Sequence, residues 1–410
     1  MNTELFEINK KLGLQENSSL LETIEKLSMV NGFTTEPTNI LDRAIELLQL
    51  PTNYLIEYDT IFNNLIGYFP YASSPEDVIN RLYETIMKKS YTFRDGNVTD
   101  PNWSMKECLT VAFEGIDATG KQTLSMMLKN FLEFTSCLST IARYDFYSML
   151  SPNQQFIKIN IPNYGSVSGR RIKTYLMEGN YDPKLLQLEF AINRKEVQNL
   201  LEDYNQMTLK MNCGIETTKV CIFDRWVDSG VAFKLAKVLI TKARTNGYPS
   251  IETILDPNAL EIFLNSSKGD ALWKEYIVGQ EEIEYNTLGL VKPDFKVLCM
   301  APSNIVSERL VQRAIASGVP LDEHEKDLEF LEVVQSIYGI NFADKYNKEN
   351  QRYLILDTSK ESKEVCVTEI LHKLITNLKP VEEVYGSNSS NIFNEQFSTL
   401  CTLSEQINDL

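Results

Sequence analysis

The stretch LTVAFEGIDATGKQT at residues 109–123 constrains this chain more than any other. Its first six residues are mostly apolar, β-branched or aromatic, and they predict a buried strand. A loop with a glycine near each end, Gly115–Lys121, follows directly, and the residues after it predict a helix as far as Phe134. Strand, glycine loop and helix form the context of a phosphate-binding P-loop, in which backbone N–H groups and the helix N-terminus face the phosphates. The alternative is a glycine-rich turn without a ligand.

Lys121 supplies the full positive charge that a P-loop directs at the outer phosphates of a nucleotide. We expect the following residues to bind ATP: Gly115, Ala118, Thr119, Gly120, Lys121, Gln122, Thr123 and, from a later helix, Arg309. The position after the lysine usually holds a Ser or Thr that binds Mg²⁺, and here it holds Gln122, with Thr123 one residue later. The predicted Mg²⁺ ligands are therefore Thr123, Gln122 and the carboxylate of Asp224, directly or through water.

The composition bounds the class of protein. A chain of 410 residues with 43% hydrophobic and 23% charged residues predicts a globular protein of about two domains. A formal net charge of −16 disfavours non-specific nucleic-acid binding. The seven cysteines form no CxxC pair and only two histidines are present, so a zinc site is not expected and the thiols are predicted to be reduced. With no apolar signal core and no membrane-spanning run, the sequence predicts a cytoplasmic protein.

The chain divides into three regions. Residues 1–105 carry four apolar stripes at helical spacing, one of them over Tyr54–Ile66, and predict a separate all-α domain that could dock an unknown protein. Its last part, residues 90–104, is a turn-rich linker. Residues 106–380 alternate short apolar runs with helical stretches, and residues 381–410 form a polar tail.

The alternation in the middle region predicts an α/β fold, in which a five-stranded parallel sheet is flanked by helices. The predicted strands are 109–114, 156–161, 219–224, 295–301 and 353–358. Residues 202–217 and 244–287 are predicted insertions, the second with helices at Pro257–Phe263 and Asp270–Ile277. Functional residues are then expected at the carboxyl ends of the strands.

Polar residues follow two of these predicted strands. Asp224 and Arg225 come at the end of the third, where a carboxylate can hold Mg²⁺ and an arginine can bind a phosphate with two hydrogen bonds. The alternative for the pair is a surface ion pair. The segment IPNYGSVSGRR at residues 161–171 follows the second strand, and its small polar and basic residues suit a phosphate or a sugar or, alternatively, a solvated turn.

Two helical stretches carry further candidates. Phe190 and Arg194 are four residues apart and share a helix face, which suits a clamp for a nucleobase; the alternative is a core phenylalanine beside a surface arginine. Arg309 and Arg313 are one turn apart, ahead of a charged segment at about 314–327 that could act as a lid or could be an exposed helix start. His324, within that segment, is predicted to be a surface histidine.

Together these motifs resemble thymidylate kinases, the P-loop enzymes that phosphorylate dTMP. The resemblance covers about residues 109–378 and rests on five motifs in the family's order: FEGIDATGK (113–121), IPNYGSVSGRRIKTYL (161–176), FAINR (190–194), DRWVDSGVAF (224–233) and GLVKPD (289–294). It implies a five-stranded parallel sheet with a mobile lid, Mg²⁺ as cofactor, ATP and a nucleoside monophosphate as substrates, and a homodimer.

The resemblance also implies residue roles. Asp117 would hold the 3′-hydroxyl, Phe190 would stack on the base and Arg194 would bind a base carbonyl, while Phe233 would crowd the 2′ position of the sugar. The implied catalytic residues are Lys121, Asp224, Arg225 and Arg313. The implied substrate-binding residues are Asp117, Pro162, Tyr164, Phe190, Arg194, Arg225, Ser229 and Phe233.

The chain departs from the family pattern at three places. Tyr164 stands where the family usually has a phosphate-binding arginine, Ala118-Thr119 replaces the P-loop arginine of one family type, and Glu323 replaces the lid arginine of the other. The candidates for the missing positive charge are Arg309, Arg313, Arg170 and Lys326. The alternative functions are a kinase for UMP, CMP, dUMP or a modified deoxynucleotide, and a nucleotide-binding scaffold. A regulatory GTPase is disfavoured because Asn347–Asn350 lacks the aspartate that reads guanine.

Overall fold

The computed structural model describes residues 105, 108–143, 156–178, 183–211, 218–318, 320–349 and 352–377, together with six positions between 57 and 68. In this part of the chain, strands alternate with helices. The strands are β1 (Leu109–Glu114), β2 (Phe156–Asn160), β3 (Val220–Asp224), β4 (Phe295–Met300) and β5 (Tyr353–Asp357). Every predicted strand is found, and each observed boundary lies within one residue of the predicted one.

The five strands form one sheet in the order β2-β3-β1-β4-β5, and all neighbouring pairs are parallel. In the register, Asp224 lies opposite both Phe113 of β1 and Asn160 of β2. The carboxyl ends of these three strands therefore finish at one edge. This arrangement confirms the predicted α/β fold with a five-stranded parallel sheet, and it places the P-loop at the centre of that edge.

Both faces of the sheet are covered, as expected for a parallel sheet whose strands read as continuous apolar runs. All six residues of β1 are buried. Because successive side chains of a strand point to opposite faces, Val111 and Phe113 enter one apolar cluster while Ala112 enters the other. The fold thus has two cores, and the strand that leads into the P-loop lies between them.

Long helices connect the strands. Those before β3 are α1 (Lys121–Arg143), α2 (Val167–Glu178) and α3 (Pro183–Met211). Those that follow β4 in the chain are α9 (Ser303–Ser317), α10 (Glu323–Lys326), α11 (Leu328–Glu349) and α12 (Lys363–Asn377). The predicted insertion at 202–217 begins inside α3, which continues to Met211. Within the described ranges, no helix combines the length and the apolar character needed to cross a bilayer.

The second predicted insertion, 244–287, is helical. It starts inside α4 (Val227–Asn246) and continues through α5 (Ile251–Leu255), α6 (Pro257–Leu264), α7 (Ser267–Trp273) and α8 (Gly279–Glu282), with π-helical segments at Lys274–Val278 and Ile283–Thr287. The predicted helix at Pro257–Phe263 is found as α6, and Asp256 caps it by accepting hydrogen bonds from Asn258 N and Ala259 N. The predicted helix at Asp270–Ile277 spans the end of α7 and the first π-helical segment.

Six positions of the N-terminal region are described, and all six are helical: 57, 60, 61, 64, 65 and 68. They belong to the predicted helix Tyr54–Ile66 and its continuation. Ile61 and Leu65 are fully buried in the same cluster as β1, and the Tyr68 ring stacks on His372 of α12 with 4.6 Å between centroids. This helix therefore packs on the α/β domain. The other helices predicted in 1–105, the linker at 90–104 and the tail at 381–410 lie outside the described residues.

Candidate functional site

The loop between β1 and α1 is bent by residues with positive φ. Gly115 has φ 129°, Ala118 has φ 61° and Gly120 has φ 87°. At Gly115 a side chain is excluded twice, since the backbone is left-handed and an added Cβ would lie 2.3 Å from the carbonyl oxygen of Cys299. Leu124 N then donates to Gly120 O over 3.0 Å as the helix begins. The loop thus has the strand–turn–helix geometry that the sequence predicts for a P-loop.

A cavity of about 620 Å³ opens in front of this loop. We call it the phosphate cavity. Its lining includes these predicted site residues: Asp117, Ala118, Gly120, Lys121, Gln122, Thr123, Pro162, Tyr164, Asp224, Arg225, Arg309 and Arg313. Gly115 and Thr119 do not line it. Thr119 is fully buried, and its hydroxyl donates to Ile116 O over 2.8 Å, so it shapes the loop from behind.

Lys121 is almost completely buried at the floor of the phosphate cavity. Its ammonium group donates to Ile116 O over 2.6 Å, across the loop. Burial and, after it, the nearby positive charge of Arg225 lower the pKa of Lys121 to about 8. The negative charge of Asp117 acts in the opposite direction but does not compensate for them. A phosphate that entered the cavity would supply the counter-charge that this ammonium lacks.

Arg309 fastens the P-loop to the loop after β5. Its guanidinium donates to Ala118 O over 3.3 Å, to the Thr358 hydroxyl over 3.1 Å and to Thr358 O over 2.8 Å. The Thr358 hydroxyl in turn donates to Thr119 O over 2.9 Å. Arg309 therefore lines the phosphate cavity as a part of its wall, held by three contacts.

Arg225 joins the P-loop to the end of β3. It sits in the left-handed region at φ 74°, a conformation that costs energy for a residue with a side chain. Its guanidinium donates to Gly115 O over 2.9 Å and to the Asp117 carboxylate over 2.8 Å. Burial alone would raise the pKa of Asp117, but the charges of Arg225 and Lys121 hold it well below its usual range. Asp117 is thus a carboxylate at any physiological pH.

Asp224 ends β3 beside a lysine that the sequence analysis overlooked. Lys158 of β2 places its ammonium 3.4 Å from the Asp224 carboxylate and 2.5 Å from the side-chain oxygen of Asn160. Lys158 and Asn160 alternate along β2 and therefore share a face, which is the pattern that could have identified them. Asp224 remains at the phosphate cavity with part of its surface accessible.

A second cavity, of about 140 Å³, adjoins the first. We call it the nucleoside pocket. It shares Asp117, Ile161, Pro162, Tyr164 and Arg225 with the phosphate cavity. Its remaining lining includes four predicted substrate residues, Phe190, Arg194, Ser229 and Phe233. The two cavities therefore meet at Arg225, whose guanidinium lies 5.1 Å from the centre of the Phe233 ring.

The loop after β2, which forms one wall of both cavities, is held by Asn193 of α3. The Asn193 side-chain oxygen accepts from Asn163 N over 2.8 Å, and its amide nitrogen donates to the Ser166 and Ser168 hydroxyls over 2.7 and 2.9 Å. Gly169 packs against the same loop so closely that a Cβ would lie 1.8 Å from Asn163 O. The FAINR and GSVSG motifs thus support each other.

Arg194 is held by an unexpected partner. Its Nε and Nη2 donate to the two carboxylate oxygens of Glu284, each over 2.6 Å, and both side chains are buried. Glu284 comes from the second π-helical segment, Ile283–Thr287, which thereby reaches the wall of the nucleoside pocket. An arginine on the surface, the alternative weighed from spacing, is wrong. Its predicted contact with a base carbonyl stays a prediction.

Ser229 lies over a buried polar network. Its hydroxyl donates to the Glu114 carboxylate over 2.5 Å and accepts from Tyr338 over 2.6 Å, while Trp226 N donates to Glu114 over 2.8 Å. Burial and then the neighbouring Asp228 raise the pKa of Glu114 to about 7. The Ser229 hydroxyl therefore already donates one hydrogen bond and accepts another within the protein. Its predicted contact with substrate stays a prediction.

The predicted lid segment contains α10, capped by Asp322 in a capping box with Glu325. Arg313 pairs with Glu325, which ties the end of α9 to this segment. The expectation of a surface histidine at position 324 is wrong: the His324 ring is partly buried, 4.9 Å from Phe330 and 5.8 Å from Phe233. Burial lowers its pKa. His324 lines the nucleoside pocket because α10 folds over the helix that carries Phe233.

Comparison with known proteins returns a solved structure but no family. No family model and no curated protein matches this chain. A solved structure described as a thymidylate kinase from Candida albicans, with broad substrate specificity and a novel structural element, is similar with a TM-score of 0.41 and 20% sequence identity. The similarity covers 66% of this chain and 94% of that one.

The structure thus brings the predicted site residues, except Gly115 and Thr119, into two adjoining cavities. Three groups that shape the site were overlooked: Lys158, Asn193 and Glu284. The first two lie in or beside quoted motifs and carried a signal in their spacing. No sequence pattern marks Glu284, because its partner Arg194 lies 90 residues away in the chain.

Proposed function

We propose that this protein transfers the γ-phosphoryl group of ATP to a deoxynucleoside monophosphate, with dTMP as the first substrate to test. The observation that carries the proposal is the junction of the two cavities. One cavity is lined by the P-loop and Lys121 and the other by Phe190 and Phe233, and they meet at Arg225. A donor and an acceptor phosphate that occupied the two cavities would face each other at this junction.

On the donor side, the P-loop and Lys121 bind the β- and γ-phosphates of ATP. Phosphoryl transfer needs positioning and neutralisation of charge more than covalent help from the protein. Lys121 and Arg313 both line the phosphate cavity and supply positive charge to it, and Arg309 keeps the loop in place. Closure of the segment around α10 excludes water and so limits hydrolysis of ATP.

On the acceptor side, Arg225 binds the monophosphate and Asp117 accepts a hydrogen bond from the sugar hydroxyl. The base stacks on Phe190 in the nucleoside pocket, whose other walls include Tyr164, Pro162 and Arg194. Phe233 fills the space below Arg225 and disfavours a 2′-hydroxyl. The acceptor phosphate oxygen is then held in line with the γ-phosphorus. Binding thereby removes the translational and rotational entropy that the two reactants would otherwise lose in the transition state.

The donor set at the junction fits Mg²⁺. This ion binds through one or two protein oxygens together with the phosphates of the nucleotide. The phosphate cavity offers the Asp224 carboxylate, the Thr123 hydroxyl and the Gln122 amide. When bound with ATP, the ion would neutralise charge on the β- and γ-phosphates.

The test is release of ADP by the pure protein with ATP and Mg²⁺ across a panel of nucleoside monophosphates. We expect turnover with dTMP, and at least about a 100-fold loss in the isosteric variant Asp224→Asn. The matched control is Asp203→Asn, an aspartate on α3 that lines neither cavity. Turnover with a ribonucleotide alone would contradict the acceptor assignment, and ATP binding without turnover of any monophosphate would contradict the kinase.

A further inference from the structure

Gln187 is a buried amide without a hydrogen-bond partner. It lies on α3 and is 5% exposed. Neither its side-chain oxygen nor its nitrogen has a partner, and in the described part of the chain these are the two buried side-chain polar atoms left in this condition. Burial of an unpaired amide costs free energy, so Gln187 destabilises the folded protein when no ligand is bound.

The neighbouring polar side chains of α3 show that this helix normally satisfies its buried groups. Asn193 holds the loop after β2, Arg194 pairs with Glu284, and Gln198 donates to Gly289 O and accepts from Val291 N. Asn205 likewise bonds Thr218. Gln187 differs from these four, since neither polar atom of its side chain has a hydrogen-bond partner in the described part of the chain.

Gln187 lines a small cavity that continues the nucleoside pocket. This cavity, of about 70 Å³, shares Leu176, Phe190, Gly230, Phe233 and His324 with the nucleoside pocket. Gln187 and Phe190 are three residues apart, so their side chains are neighbours on one face of α3. A base stacked on Phe190 would therefore lie beside the helix face that carries the free amide.

The other charged groups at this cavity are engaged elsewhere. The ammonium of Lys234 lies 5.1 Å from the centre of the Tyr276 ring, and that of Lys237 lies 6.0 Å from the Phe330 ring. Arg194 lines the nucleoside pocket and not this cavity, and its Nε and Nη2 are on Glu284. Besides the two lysines, the cavity offers a ligand mainly apolar surface, the ring of His324 and one neutral amide.

We propose that Gln187 reads the hydrogen-bonding edge of the acceptor base, and that the acceptor is a pyrimidine with either a keto or an amino edge. An amide carries one acceptor and two donors, and no protein partner fixes which way it points. It can accept from N3–H and donate to O4 of thymine or uracil. Rotated by half a turn, it donates to N3 and accepts from the amino group of cytosine. This inference rests on the proposed function for the identity of the site, and it predicts that dTMP and dCMP bind comparably.

The experiment compares equilibrium binding of three monophosphates to the full-length protein and to Gln187→Leu. The ligands are dTMP, dCMP and the deoxyribonucleotide of difluorotoluene, which has the shape of thymine and a weak hydrogen-bonding edge. The protein should bind dTMP and dCMP about 10- to 100-fold more tightly than the apolar isostere, as two hydrogen bonds require. In Gln187→Leu the three ligands should bind within about threefold of each other.

Two controls separate reading of the base from a structural role. Gln206→Leu makes the same change on the same helix outside the cavities and should keep the discrimination. Gln187→Leu should unfold at the same or a higher temperature than the unchanged protein, because it removes an unpaired buried group. A lower unfolding temperature in Gln187→Leu would overturn the inference, since it would give Gln187 a structural partner.

The outcomes also distinguish this inference from the proposed function. If Gln187→Leu keeps full discrimination while dTMP is phosphorylated, the inference is overturned and the kinase stands. If discrimination depends on Gln187 but no phosphoryl transfer occurs, the inference is supported and the kinase is overturned. A protein that binds dTMP and the isostere equally would overturn the inference directly.

Discussion

The phosphate cavity and the nucleoside pocket are adjacent but are held together in different ways. In the phosphate cavity, charged side chains bond backbone carbonyls of one short loop, as Lys121 does with Ile116 O and Arg225 with Gly115 O. In the nucleoside pocket, the support is a buried ion pair between Arg194 and Glu284, which are 90 residues apart. Distant segments meet in both regions, since Arg225 and Gly115 are 110 residues apart. The difference is that the acceptors are backbone carbonyls in the first region and a buried carboxylate in the second.

This difference predicts opposite responses to mutation. A side chain removed from the phosphate cavity should cost activity and leave the fold intact, because the partners it leaves behind are uncharged backbone carbonyls. A side chain removed from the support of the nucleoside pocket should cost stability, because it leaves a buried charge unpaired.

Arg194→Ala should lower the free energy of unfolding by about 3–5 kcal/mol, because Glu284 would remain buried without its partner. Chemical denaturation monitored by circular dichroism measures this. The control is Arg244→Ala, which breaks an exposed pair with Glu329 and should change stability by less than about 1 kcal/mol. A loss below about 1 kcal/mol in Arg194→Ala would show that the pocket does not depend on this ion pair.

Lys121→Ala should reduce phosphoryl transfer from ATP by at least about 100-fold, since it removes the charge that positions the outer phosphates. The free energy of unfolding should change by less than about 1 kcal/mol, because the loop keeps its backbone contacts. ADP release and thermal unfolding are the two measurements. Lys129→Ala, on the same helix and paired with Glu133, is the matched control. Activity within about tenfold of the unchanged protein would refute the assignment of the P-loop.

Gly169→Ala should destabilise the protein by about 1–3 kcal/mol, because the new Cβ would overlap the carbonyl of Asn163 and push the loop away from α2. Gly165→Ala, in the same loop, meets only the side-chain oxygen of Asn163 at 3.2 Å and should be tolerated far better. Unfolding of the two variants side by side measures the difference. Equal stabilities would show that the loop can shift without cost.

The affinity for ATP should fall as the pH rises above about 8. The pKa of Lys121 in the free protein is lowered to about 8 by its burial, so the ammonium is present below that pH and is lost above it. Since the phosphates need the charged form, the dissociation constant should rise by about fivefold between pH 8 and pH 9. Lys121→Arg keeps its charge throughout, and its affinity should be level over this range. A level profile in the unchanged protein would contradict the depressed pKa.

The sequence predicts the phosphate cavity well for a physical reason. A P-loop is a local object, so one stretch of fifteen residues contains its strand, its glycines, its lysine and its helix start. The ends of β2 and β3 could also be placed, because apolar runs followed by polar residues mark the carboxyl edge of a parallel sheet. The position of Arg309 at the cavity could also be predicted, because this arginine lies on the helix that follows the fourth strand.

The sequence predicts residues that line the nucleoside pocket, but it does not predict the contacts that hold these residues in place. Phe190 and Arg194 share a helix face, which spacing alone reveals, but the carboxylate opposite Arg194 comes from a π-helical segment that has no periodic relation to α3. The burial of His324 depends in the same way on how α10 folds over α4. Such contacts between distant segments are decided by packing, and the periodicity of a single element carries no information about them.

The helix around Ile61 and Leu65 has a consequence for how the chain could be divided. Both side chains are fully buried in the core beside β1, and each contributes about 1.5–3 kcal/mol by its burial. That sum is comparable to a large part of the 5–15 kcal/mol by which a domain is typically stable. Proteolytic cleavage between residues 68 and 105 would therefore sever the backbone without releasing the N-terminal fragment, and the two fragments should migrate together until a denaturant separates them.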